Sequence, residues 1–115
     1  MTVYIQPRVL NPFRDVSAEE LAEYRGWACE NCGHGVGDDP ERNHCIVPDR
    51  KRYHQQVSIA LNYELVCHWC HQREDVHTFQ HRVEFKRKQE ERYGAEVVAG
   101  WLRSIPMVSD GIVEA

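Results

Sequence analysis

Two cysteine pairs, Cys29-Glu-Asn-Cys32 and Cys67-His-Trp-Cys70, carry the clearest chemistry in this chain. Two thiolates three residues apart can point at one ion when the backbone turns tightly between them, and Gly33 directly after the first pair eases that turn. Four such thiolates fill the tetrahedral shell of Zn²⁺. A closed site of this kind holds a fold together and offers no open position for chemistry. The competing readings are a disulfide and a redox CxxC motif. Neither suits a chain read as intracellular as well as a metal does. The fifth cysteine, Cys45, is left over and reads as a small buried apolar residue.

Three further features stand around this staple: Asn43-His44-Cys45-Ile46-Val47-Pro48, then Asn62, then His71 immediately after the last knuckle cysteine. The elements that must position them can be read from the pattern. Ser17-Ala-Glu-Glu20 is a capping box, so a short helix is expected over 18–25, ended by Gly26. Residues 33–40 read as loop. Residues 43–47 read as a short strand stopped by Pro48, and 49–56 as a polar, basic loop. From about 74 to 93 the pattern is helical, with Val76, Phe79 and Val83 as the apolar stripe and Lys86, Arg87, Lys88, Glu90 and Glu91 exposed. After Gly94 a second helix is expected over 95–103, with Val97, Val98, Trp101 and Leu102 as its apolar face and Pro106 as its stop. Trp27, Trp69 and Trp101 read as packing residues. His34, His54, His68 and His81 read as surface or packing histidines. Residues 1–16, with Pro7, Asn11 and Pro12, read as an extended arm.

In order, spacing and residue type, these residues resemble the HNH endonuclease family of the ββα-metal superfamily, in its small phage-type branch with two CxxC knuckles. The matching segments are Cys29-Glu-Asn-Cys32-Gly33, His44-Cys45-Ile46, and Asn62-Tyr-Glu-Leu-Val-Cys67-His-Trp-Cys70-His71, with Asn62 nine residues before His71. The resemblance covers roughly 27–92. It implies an α+β fold: a ββα-metal core stapled by a four-cysteine zinc site, with flanking helices at both ends. The whole chain, 1–115, is then a single domain, with an arm and short helix over 1–26 and a helix and tail over 94–115. It also implies a metal-dependent endonuclease that nicks or cuts DNA. His44 becomes the general base, Asn62 the brace of the loop that orients it, and His71 a ligand of a catalytic ion. A histidine with a pKa near 6.5 suits proton transfer at neutral pH. One divalent cation polarises the phosphoryl oxygen and steadies the leaving 3′-oxygen.

Asp75, one turn beyond His71, and Asn43, in the position usually held by Asp or His, complete the expected ligand set for Mg²⁺ or Mn²⁺, with His77 as the alternative to Asp75. Asn43 is a neutral, weaker donor. In a register shifted by one, Cys45 takes the base position and His44 the ligand position.

The net charge of −4, from 14 basic and 18 acidic residues, does not by itself favour nucleic acid. Its distribution matters more, and Arg50, Lys51, Arg52, Arg73, Lys86 and Arg87 are the expected phosphate contacts. DNA is the expected partner, with a homodimer or a phage or host protein as further candidates. No apolar run approaches the roughly 18 residues of a membrane span, and Met1–Leu10 has no signal-peptide pattern, so a cytoplasmic location is expected. The second functional reading is a non-catalytic zinc module that binds nucleic acid or a protein.

Overall fold

The computed structural model describes residues 10–105 and 111–115. The first nine residues of the expected arm, Pro7 among them, and the expected stop at Pro106 lie outside the described residues. The architecture is α+β. One two-stranded antiparallel sheet pairs β1 (Glu41–His44) with β2 (Tyr63–Val66), and five helices surround it: α1 (Ala18–Arg25), α2 (His54–Val57), α3 (His68–Gln72), α4 (Phe79–Tyr93) and α5 (Ala95–Ser104). Among the described residues no helix is long and apolar enough to cross a membrane.

α1 begins where its cap predicts, with Ser17 Oγ accepting from the Glu20 N–H at 3.1 Å. It ends at Gly26, whose φ of 95° closes the last turn cheaply only for glycine. Residues 12–14 are tied to the body rather than forming an arm: the Pro12 and Arg14 carbonyls each accept at 2.8 Å, from the N–H groups of Leu61 and Ala60.

β1 starts two residues before the expected strand and stops at His44, three short of Val47. The reason lies in Asn62. Its Oδ1 takes the N–H groups of Ile46 and Val47, each at 2.9 Å, so those residues have no ladder partner to seek. Part of the expected loop is helical, a 3₁₀ turn at Lys51–Tyr53 running into α2.

The expected helix over 74–93 is in fact two elements. A 3₁₀ turn covers Glu74–His77. Thr78 then adopts extended backbone and caps α4, its Oγ1 accepting from the His81 N–H at 3.1 Å. The buried face of α4 also differs from the expected stripe. Arg82, Phe85, Lys86 and Gln89 are buried, whereas Phe79 is exposed. Polar side chains can face the core here because each meets a partner. Arg82 Nε donates to the Ile46 carbonyl at 2.8 Å, and Gln89 Nε2 to that of Leu61 at 2.8 Å. Lys86 is therefore not a free phosphate contact; its ammonium meets the Ala115 carbonyl and lies 3.8 Å from Glu90.

The core has two parts. Leu21, Ala22, Val36, Leu65, Val66 and Val76 pack around the knuckles, and Ile46, Val47, Val57, Leu61, Phe85, Val98 and Leu102 pack beneath α4 and α5. Trp101 packs as expected, its Nε1 donating to the Gln56 carbonyl at 2.8 Å. Trp27 and Trp69 are not core residues: they are 45% and 78% exposed, and Trp69 meets the His68 ring edge-on at 5.8 Å.

Candidate functional site: a four-cysteine cluster and a histidine loop

The Cys29, Cys32, Cys67 and Cys70 thiols lie within 4.8 Å of one another, with Cys32 Sγ and Cys67 Sγ at 3.9 Å. The first pair sits on a tight hairpin. The Cys29 N–H donates to the His34 carbonyl at 2.7 Å, and Gly33, at φ 80°, makes the turn. The second pair opens α3. Burial opposes ionisation of Cys29, yet N–H groups of Cys32, Cys67 and Asn31 bring its thiol down to about 7. Burial, with thiols beside it, pushes Cys70 up to about 12. A crowd of thiols that must share negative charge is a donor set that a dication such as zinc satisfies.

The cluster is locked into the body by Glu30, a residue the sequence reading passed over. Its carboxylate accepts from Arg25 Nη1 at 2.8 Å, the Leu65 N–H at 2.9 Å and Arg92 Nη2 at 2.9 Å. Burial would raise its pKa, but Arg25 and Arg92 outweigh burial and hold the carboxyl below its ordinary range. No sequence pattern flags this residue, because its partners come from α1, β2 and α4.

Asn62 is fully buried and makes four side-chain hydrogen bonds. Besides the two it accepts, Nδ2 donates to the carbonyls of Val47 at 2.8 Å and Val57 at 2.9 Å. It thus fastens the loop after β1 to the end of α2. His44 stands at the start of that loop. Its Nε2 lies 3.2 Å from Ser58 Oγ, and its ring meets Tyr63 edge-on at 5.1 Å. Burial pulls its pKa below the ordinary histidine value. Ser58 Oγ also lies 3.4 Å from His54, whose Nδ1 is 2.8 Å from Asp49. His54, expected to be a surface or packing residue, therefore belongs to a polar chain that leads to His44.

His71 sits elsewhere. Its Nδ1 lies 2.6 Å from Glu41 Oε1, and the other Glu41 oxygen is 2.6 Å from His68 Nδ1. The His71 hydrogen bond holds the Glu41 carboxyl below its ordinary range. The pleat sends Glu41 and Asn43 to one face of β1 and Arg42 and His44 to the other, so His44 and the Glu41–His71 pair do not share a face.

In the expected ligand set of Asn43, His71 and Asp75, each side chain is paired with a residue outside the set. Asn43 is buried, its Nδ2 3.2 Å from Glu64 and 3.4 Å from the Val76 carbonyl. Asp75 lies beyond the end of α3 and is gripped by Arg73 through Nε and Nη2, each at 3.0 Å, so the expected phosphate contact at Arg73 is occupied as well. His77 is a neighbour of His71: its Nε2 is 3.3 Å from the His71 carbonyl, and the two rings are 6.3 Å apart. Arg50, Lys51, Arg52 and Arg87 are exposed. No family model, no curated protein and no solved structure matches the chain, so what the site does is read from its own residues.

Proposed function

We propose that this protein is an HNH-type endonuclease that hydrolyses DNA phosphodiester bonds, with a structural Zn²⁺ in the four-cysteine cluster. The observation that carries this reading is the fully buried Asn62, whose four hydrogen bonds hold the loop that starts at His44. A brace of that kind fixes an imidazole whose position must be reproducible.

His44 is the general base. In the tautomer that donates Nε2–H to Ser58, Nδ1 keeps the lone pair for proton abstraction, and burial favours the neutral ring near pH 7. Arg50, Lys51, Arg52 and Arg87 meet the DNA backbone. His71, with Glu41 and His77 beside it, would hold one ion of the Mg²⁺ or Mn²⁺ class, whose chemistry there is to polarise a phosphoryl oxygen.

The second reading is a zinc-stapled module that binds nucleic acid or a protein without cutting. It is favoured by the placement of His44 and the Glu41–His71 pair on different faces of the hairpin.

A supercoiled-plasmid assay with Mg²⁺, Mn²⁺ or EDTA, run beside His44→Ala, decides between them. Metal-dependent nicking lost in the variant supports the nuclease. An intact, zinc-loaded wild type that never cuts but binds DNA in a salt-sensitive way establishes the second reading.

A further inference from the structure

Three donors of different chemistry converge where the hairpin meets α4. Cys45 follows β1, Glu64 is in β2, and His81 is in the first turn of α4; the Cys45 thiol, a Glu64 oxygen and a His81 nitrogen lie within 4.8 Å of one another. His81 Nε2 is 2.9 and 2.8 Å from the two Glu64 oxygens. Asn43 Nδ2, 3.2 Å from Glu64 Oε1, fixes the carboxylate from the other side. Cys45 and Glu64 are 2% and 1% exposed. Glu64 and His81 also line a cavity of about 190 Å³ that reaches Glu30, Asn31, Glu84 and Lys88.

We infer that Cys45, Glu64 and His81 form a second metal site, separate from the four-cysteine cluster, for a zinc-class divalent ion. A tetrahedral ion with bonds of about 2.0–2.3 Å sets its donors roughly 3.3–3.8 Å apart. The three donors reach that spacing with shifts of about 1 Å or less. Sulfur, imidazole and carboxylate together select a borderline ion such as Zn²⁺ or Co²⁺ over Mg²⁺. Three protein ligands leave a fourth position, and the cavity beside Glu64 and His81 supplies room for water there. The ion ties α4 to the hairpin at the base of the His44 loop. This site uses neither His44 nor His71 and stands independently of the nuclease reading.

The test is spectroscopic and needs no DNA. Full-length protein with zinc in the four-cysteine cluster is titrated with Co²⁺, and retained zinc is measured at the end. The expected result is a near-ultraviolet thiolate-to-cobalt band that saturates at about one equivalent of thiolate-bound cobalt, with zinc retained. Cys45→Ser abolishes the band, and His81→Ala weakens cobalt binding by about tenfold or more. His71→Ala, which alters no sulfur donor, leaves the thiolate band unchanged. Should Cys45→Ser fail to fold, His81→Ala in the first turn of α4 carries the test alone. A zinc-loaded wild type without the band in excess cobalt overturns the site. So does a band that survives Cys45→Ser, or cobalt affinity unaltered in His81→Ala.

Discussion

At the scale of the residue, the roles of His44, Asn62 and Glu30 separate cleanly. Replacing His44 by Ala is expected to lower DNA cleavage by about 10²–10⁴-fold, the usual contribution of a positioned base, while circular dichroism and zinc content stay at wild-type values. Burial lowers the His44 pKa, so the neutral base persists to more acidic pH than an ordinary histidine allows. The acid limb of the cleavage profile should therefore fall below about 6.5, the unperturbed value. A limb at or above that value would show that His44 is not the titrating base. Stability follows the same sign: what neutral His44 contributes is present above about 6.5 and is lost as pH falls toward the lower folded value.

Asn62→Ala leaves two N–H groups and two carbonyls of a buried loop without their partner. A loss of about 3 kcal/mol or more in urea unfolding is expected. Glu30→Ala leaves buried Arg25 uncompensated, and about 3 kcal/mol is expected there too. Because the folded Glu30 carboxyl titrates below its ordinary value, its contribution is present above the unfolded pKa of about 4.3 and disappears as pH falls through the lower folded one. In the Ala variant, that acid-dependent part of the unfolding profile should be missing.

At the scale of the element, α4 decides most. Its sequence reads as a charged surface helix with an apolar stripe, but it docks through Arg82, Phe85, Lys86 and Gln89. Charge reversal therefore separates two kinds of basic residue. Arg50→Glu with Lys51→Glu, both on the exposed turn before α2, should weaken DNA binding and reduce the salt slope by about 1–2 without changing stability. Lys86→Glu should instead cost about 2 kcal/mol or more of stability, because it buries a carboxylate beside Glu90. Equal effects of the two changes on DNA affinity, with no loss of stability in the second, would show that Lys86 faces the DNA after all.

At the scale of the whole molecule, the four-cysteine cluster joins a hairpin turn near residue 29 to a helix start near residue 70, and the knuckle half of the core packs on both. Removing the ion with a strong chelator should unfold at least that half, seen as lost helicity and a lowered Tm. Zinc readdition should restore both, since binding free energy at such a site is folding free energy.

The sequence by itself determined what depends on local chemistry. The two knuckles follow from CxxC spacing, α1 from its capping box, and the break before α5 from Gly94 at φ 104°. Only the tertiary structure decided which side chains meet across elements. Glu30 gathers Arg25, Leu65 and Arg92 from three elements, and Cys45, Glu64 and His81 converge from three more. Asp75 pairs with Arg73, and Thr78 opens a separate helix just beyond it. The physical reason is one of range. Caps, turns and ligand spacings are fixed within a few residues, whereas the partners of a buried polar group are chosen by packing, which no local pattern records.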